Sequence, residues 1–161
     1  MRTSLVFLMG VLIGSIVAPG VAQDNRLAGA NYVNHVAISV PNFDQALAFY
    51  TQKMGFREAF VVRDDKGQPT LAYVQASKNT FVELMPSNAN RPPGLNHYGL
   101  HVEDLKGVVA TLKQRGVDVS EPRPGRGDSS VANVTDPNGI RIELFQFGKD
   151  SAQGQAIESW K

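Results

Sequence analysis

The 161-residue chain contains no cysteine. That absence excludes a disulfide framework, a thiolate zinc site, a cysteine nucleophile and a lipidated cysteine anchor. Any metal would have to be held by histidine, carboxylate or water. Net charge is nearly absent too. The 16 Lys+Arg against 15 Asp+Glu leave +1, which gives no general field for a polyanion and argues against nucleic acid as a partner. No twin-arginine pair opens the chain. What is present is a hydrophobic fraction of 42%, suited to a globular fold, in a length that fits one domain or two similar units sharing a core.

The first two dozen residues read as an address. Arg2 precedes an apolar run over residues 5–18, then Pro19, and Gly20-Val21-Ala22 forms a small-x-small site. This pattern predicts a signal peptide over residues 1–22 and a periplasmic or secreted protein. The run is shorter than the roughly 20 residues that span a bilayer, so no stable membrane span is expected after cleavage. Losing Arg2 leaves 15 basic residues (16 − 1) against 15 acidic ones.

The rest of the chain reads as a duplication. Asn34-His35-Val36-Ala37-Ile38-Ser39-Val40 aligns with Asn96-His97-Tyr98-Gly99-Leu100-His101-Val102 at an offset of 62. Each stretch leads into a helical pattern. Ala46, Leu47, Phe49, Tyr50 and Met54 follow Asn42 or Asp44 as N-cap; Leu105, Val108, Val109 and Leu112 follow Asp104. Both helices should stop at glycine, Gly55 and Gly116, where the offset has become 61. Phe81-Val82-Glu83-Leu84-Met85 then matches Arg141-Ile142-Glu143-Leu144-Phe145 at an offset of 60. Further strands are expected over 56–63, 71–76 and 80–85, and over 117–119, 130–135 and 140–147. Residues 86–94 join the units, and residues 123–128 form a loop over one face. The tail from Lys149 carries too little apolar pattern to assign.

Strand side chains alternate between faces. With Val36, Ile38 and Val40 under the helix, His35 points to the opposite, concave face, and the same alternation puts Glu83, His97 and Glu143 there. Related by a pseudo-twofold axis, the four converge on one point. Two imidazoles and two carboxylates suit several divalent metals without choosing among them. His101 shares the concave face, but its counterpart is Ser39, so it is either a pocket residue or a structural one. Tyr73, Phe81, Met85 and Phe145 line an apolar pocket or form plain core. Arg141 either holds an anionic substrate group or sits on a solvated rim.

The stretch from His35 to Tyr50 and that from Asp136 to Phe145 resemble the vicinal oxygen chelate superfamily. That group includes glyoxalase I, extradiol dioxygenases, methylmalonyl-CoA epimerase and the bleomycin and fosfomycin resistance proteins. The resemblance covers roughly residues 32–147. Its most specific parts are Phe49-Tyr50 before Gly55 and the ending Asp136-Pro137-Asn138-Gly139 with Glu143-Leu144. It implies an α+β fold of two tandem β-α-β-β-β modules, residues 32–86 and 95–147, forming an eight-stranded cup around a metal, with residues 148–161 as a tail. Members often pair as dimers, so it also allows a homodimer.

Glyoxalase I uses two His and two Glu in the order seen here. The resemblance therefore implies that His35, Glu83, His97 and Glu143 bind one divalent ion (Zn, Ni, Mn, Co or Fe). It also implies that Glu143, with Glu83 opposite, is the catalytic carboxylate, its pKa raised in an apolar cup once loosened from the metal. His101, Arg141, Tyr73 and Phe145 are then the expected substrate pocket. The implied function is an exported, metal-dependent lyase or isomerase acting on a small oxygen-chelating molecule through an enediolate-type intermediate. An Fe(II) extradiol-type dioxygenase and a metal-independent small-molecule binding or resistance protein are the alternatives. Residues 86–93 do not match the glutathione-contacting features of glyoxalase I, which leaves the substrate open.

Overall fold

The computed structural model describes residues 26–161 apart from Ala28. The expected signal peptide lies outside the described residues. The first unit runs β1 (Ala30–Val40), α1 (Phe43–Ala48), β2 (Arg57–Arg63), β3 (Pro69–Ser77) and β4 (Thr80–Pro86). The second runs β5 (Gly94–Val102), α2 (Leu105–Gln114), β6 (Arg123–Pro124), β7 (Ser129–Thr135) and β8 (Arg141–Phe147), and α3 (Ala152–Glu158) follows. All eight strands belong to one curled sheet in the order β2-β3-β4-β1-β5-β8-β7-β6. At its centre β1 and β5 are antiparallel, and each is parallel to the last strand of its own unit, β4 or β8. The order reads the same from either end, as a duplication folded about a twofold axis requires.

The helices begin where side chains can cap them. Asn42 Oδ1 accepts from Gln45 N at 3.0 Å, and Asp104 Oδ1 accepts from Gly107 N at 3.0 Å. Both end at a left-handed glycine, Gly55 at φ 74° and Gly116 at φ 76°. The first stretch is one residue longer, and a π turn over Phe49–Lys53 absorbs the extra residue through Met54 N–H donating to Phe49 O at 3.0 Å. This turn is the origin of the change in offset from 62 to 61.

Burial follows the alternation. Under α1, Val40, Phe43, Ala72 and Leu84 form one cluster. Under α2, Val102, Leu105, Val108, Val109, Ala132 and Leu144 form its counterpart. A third cluster, with Ala37, Leu71, Tyr73, Phe81 and Met85, lines the concave side of the first unit.

Two expectations need correction. The segment 117–119 makes only a single bridge, Val119 to Val134, and the strand of that unit is the two-residue β6. Pro122 and Pro124 remove the N–H donors that a longer ladder needs, and this confines pairing to a short edge. The tail also has a definite structure. Ser151 Oγ caps α3 by accepting from Gly154 N at 3.0 Å. The helix spans the gap between the two free edges of the cup. Its Ala156 and Ile157 pack with Ala59, Phe60 and Val62, and Ala152 N–H donates to Gly127 O at 3.4 Å. No helix among the described residues is long and apolar enough to cross a membrane.

Candidate metal centre

The four central strands β4, β1, β5 and β8 carry Glu83, His35, His97 and Glu143 on the concave face. Cross-strand register arranges them in two rows. In one, Phe81, His35, Gly99 and Glu143 lie side by side; in the other, Glu83, Ala37 and His97 do so, with Arg141 beyond. Each row thus has one His and one Glu, with the smallest residues between them. Gly99 makes room for His35: a Cβ there would sit 2.5 Å from both ring nitrogens.

One donor atom from each of the four residues falls within 4.8 Å of the others. The two Nε2 atoms are 3.1 Å apart. Glu83 Oε2 is 3.4 Å from His35 Nε2 and 3.6 Å from His97 Nε2; for Glu143 Oε2 the distances are 3.5 and 3.7 Å. All four residues are buried, so their charges must be satisfied internally.

The ring orientations are set by two asparagines that occupy equivalent places in the repeat. Asn34 Oδ1 lies 3.0 Å from His35 Nδ1, and Asn96 Oδ1 lies 2.9 Å from His97 Nδ1. The Asn34 amide N–H donates to Asn79 O at 3.3 Å, so its carbonyl faces the imidazole. Arg141, which can only donate, bonds the Asn96 atom that faces His97 and identifies it as oxygen. Each imidazole thus presents Nδ1 to an asparagine oxygen and Nε2 to the centre, as ligating histidines do. Arg141 also approaches His97 Nδ1. Two Nε2 atoms and two carboxylates that meet at one point fit a divalent cation, and the described residues form a group that could hold one.

Electrostatics agree that positive charge belongs at this point. Burial raises the Glu143 pKa, but hydrogen bonds from His35 and His97 and their charge outweigh it and hold the carboxyl well below the usual range. The Tyr73 phenol is pushed well above 10 by burial first, then by the charges of Glu83 and Glu143. It stays protonated and donates to Glu83 Oε2 at 3.0 Å.

The cluster opens onto a cavity of about 770 Å³, with Glu83, His97 and Glu143 in its lining and Leu71, Tyr73, Met85 and Phe145 as its apolar walls. The loop expected over one face contributes Arg123, Pro124, Gly125 and Arg126 to its rim, together with Arg91 and Arg141. Of the expected pocket residues, Tyr73, Arg141 and Phe145 border this cavity. His101 does not: it lies between Tyr32, with ring centroids 5.1 Å apart, and Phe147, at 4.6 Å. It shares the face of His97 but sits four residues further along β5, about 13 Å at strand rise. The sequence reading missed Asn34, Asn96, Gly99 and Gln153. The recurring Asn-His pair was the available signal for the first two, and nothing in the local pattern marked Gln153.

Comparison with known proteins places this geometry. The family described as the Glyoxalase/Bleomycin resistance protein/Dioxygenase superfamily matches residues 32–144. A probable lactoylglutathione lyase of Synechocystis is 31% identical over 124 residues, covering 71% of this chain and 95% of that protein. A putative lactoylglutathione lyase of Brassica oleracea var. gemmifera is 30% identical over 123 residues, and there the chain spans only 44% of the relative's length. The mitochondrial methylmalonyl-CoA epimerase of Dictyostelium discoideum is 27% identical over 131 residues, covering 72% of this chain and 78% of that protein. Among solved structures, methylmalonyl-CoA epimerase from Mycobacterium tuberculosis shares the fold at a TM-score of 0.65 and 23% identity, covering 74% of this chain and 90% of that one. With its duplicated units and single curled sheet, the chain belongs to the Glyoxalase/Bleomycin resistance protein/Dioxygenase superfamily, the vicinal oxygen chelate group.

Proposed function

We propose that this protein is a metal-dependent lyase or isomerase of the glyoxalase type, exported from the cytoplasm, that moves a proton next to a carbonyl group of a small substrate. The observation that carries the reading is the inward pair of Nε2 atoms facing Glu83 and Glu143 within 4.8 Å of one another. His35, Glu83, His97 and Glu143 would hold a divalent ion, which would supply Lewis-acid stabilisation of negative charge on a substrate oxygen. Glu143 takes the proton from the substrate carbon and returns it to the neighbouring carbon for isomerisation, or to the same carbon for epimerisation. Tyr73 keeps Glu83 in place, and the walls of Leu71, Met85 and Phe145 exclude water from the acceptor carbon.

The rim supports a substrate bearing an anionic group. Arg91 donates to Pro86 O at 2.7 Å, Arg126 to Thr70 O at 3.2 Å and Arg123 to Pro124 O at 3.5 Å. Arg141 donates to the amide oxygens of Asn96 and Asn133. All four spend these bonds on neutral oxygens, which leaves their charge available to a carboxylate or phosphate. The test is solvent exchange followed by NMR, with a panel of hydroxy- and oxo-carbonyl compounds in deuterated water. Deuterium should enter beside the carbonyl with the metal-loaded wild type and not with Glu143→Gln. Equal exchange by Glu143→Gln would overturn the reading.

A further inference from the structure

The duplication makes Glu83 and Glu143 equivalent in the chain, yet the structure treats them differently. Opposite Glu83 on β3 stands Tyr73; opposite Glu143 on β7 stands Asn133. The Tyr73 hydroxyl donates at 3.0 Å to Glu83 Oε2, the same oxygen that faces both imidazoles. Asn133 instead accepts from Arg141 at 3.4 Å. Among the described residues, no hydroxyl donates to Glu143, whose Oε2 faces His35 Nε2 at 3.5 Å and His97 Nε2 at 3.7 Å.

The phenol cannot wander. Tyr73 is buried, stacks on Phe60 with centroids 4.9 Å apart, and meets Phe81 and His35 edge-on at 5.8 and 5.5 Å. Its oxygen has a second partner, the side chain of Gln153. That residue comes from α3, beyond the residues 32–144 that match the family. Gln153 is buried, and its Oε1 has no hydrogen-bond partner, so its amide N–H is the group that reaches the phenol. The helix that presents it is fixed at its far end: Arg57 and Gln75 both donate to Ala156 O, and the Arg57 guanidinium lies 5.5 Å from the Trp160 ring centroid. At its near end a Cβ on Gly154 would lie 2.5 Å from Lys149 O, so the helix is seated directly on the preceding turn.

We propose that Tyr73, itself held by Gln153 of the C-terminal helix, is a positioning residue that fixes Glu83 in the ligand cluster and leaves Glu143 as the more mobile of the two carboxylates. This inference rests on the metal-centre reading above. It gives α3 a role in the site. Loss of a group that orients a metal ligand typically lowers metal affinity about 10–100-fold.

The test is a Co(II) titration of the full mature chain, read from the visible absorption of the bound ion, for wild type, Tyr73→Phe, Gln153→Met and the double variant. Tyr73→Phe keeps the ring and its packing. It should bind Co(II) about 10–100-fold more weakly with a shifted absorption band. Gln153→Met, remote from every ligand, should give a smaller loss in the same direction that disappears in the Tyr73→Phe background. Wild-type affinity and spectrum in Tyr73→Phe would overturn the proposal. An unchanged Gln153→Met, or a Gln153→Met loss that persists beside Tyr73→Phe, would overturn the part played by Gln153. If wild type itself binds no Co(II), the metal-centre reading fails and carries this inference with it, a result distinct from the others.

Discussion

The imidazole of His35 lies directly over Gly99, on the neighbouring strand, where a Cβ would come within 2.5 Å of both ring nitrogens. The other row repeats the relationship with Ala37 beside His97. A ligand position is thus set by a residue that binds nothing. Gly99→Ala should displace His35 and lower metal affinity by at least about tenfold while every donor remains in the sequence. Overpacking of this kind also destabilises by about 1–3 kcal/mol. Metal titration beside thermal unfolding of the metal-free chain checks both, and an unaltered affinity would show that the site does not depend on this contact.

The asparagine locks make a second prediction. Asn34→Leu and Asn96→Leu remove the oxygen that orients each imidazole through Nδ1, so each should weaken metal binding about 10–100-fold. Asn34→Asp, which keeps an acceptor oxygen, should lose much less. Competition with a chelator of known affinity ranks the three variants.

Acid should loosen the centre in two ways. Ligands must shed protons to bind a metal, so affinity falls as pH falls. In the metal-free chain, Glu143 has a folded pKa well below its ordinary 4.5. Its contribution to stability is therefore present above about pH 4.5 and lost as pH falls through the folded value. Chemical unfolding of wild type and Glu143→Gln between neutral and acid pH should show a shallower acid limb in the variant. Parallel curves would remove Glu143 as the source of that limb.

The arginine rim predicts charge selectivity. Arg123→Gln with Arg126→Gln should raise KM for a substrate bearing a carboxylate or phosphate about tenfold, as expected for loss of a charge-assisted contact. KM for an uncharged analogue should change little. The difference should shrink at high salt, because exposed charges are screened.

Much of the centre was legible because the sequence says the same thing twice. His35 and His97, then Glu83 and Glu143, recur at offsets of 62 and 60, and strand alternation sends all four to one face. What escaped was decided by partners far away in the chain. The tail has only Ala156 and Ile157 to bury against the sheet, and α3 is held largely by the Arg57 and Gln75 bonds to a backbone carbonyl, a latch with no periodic signature. The short β6 escaped because the alternating Val117-Asp118-Val119 resembles a strand, while the prolines beyond it set where pairing occurs. His101 looked like a site residue because it shares a face with His97; distance along β5, rather than facing, removes it from the cavity.

The most direct test of the central claim is elemental analysis of the purified protein, run beside His35→Ala and Glu143→Ala. One divalent ion per chain, lost in both variants, is the result expected of a cluster whose four donors meet within 4.8 Å. A chain that holds no divalent ion even after reconstitution, or variants that hold it as firmly as wild type, would contradict the metal centre on which the proposed chemistry depends.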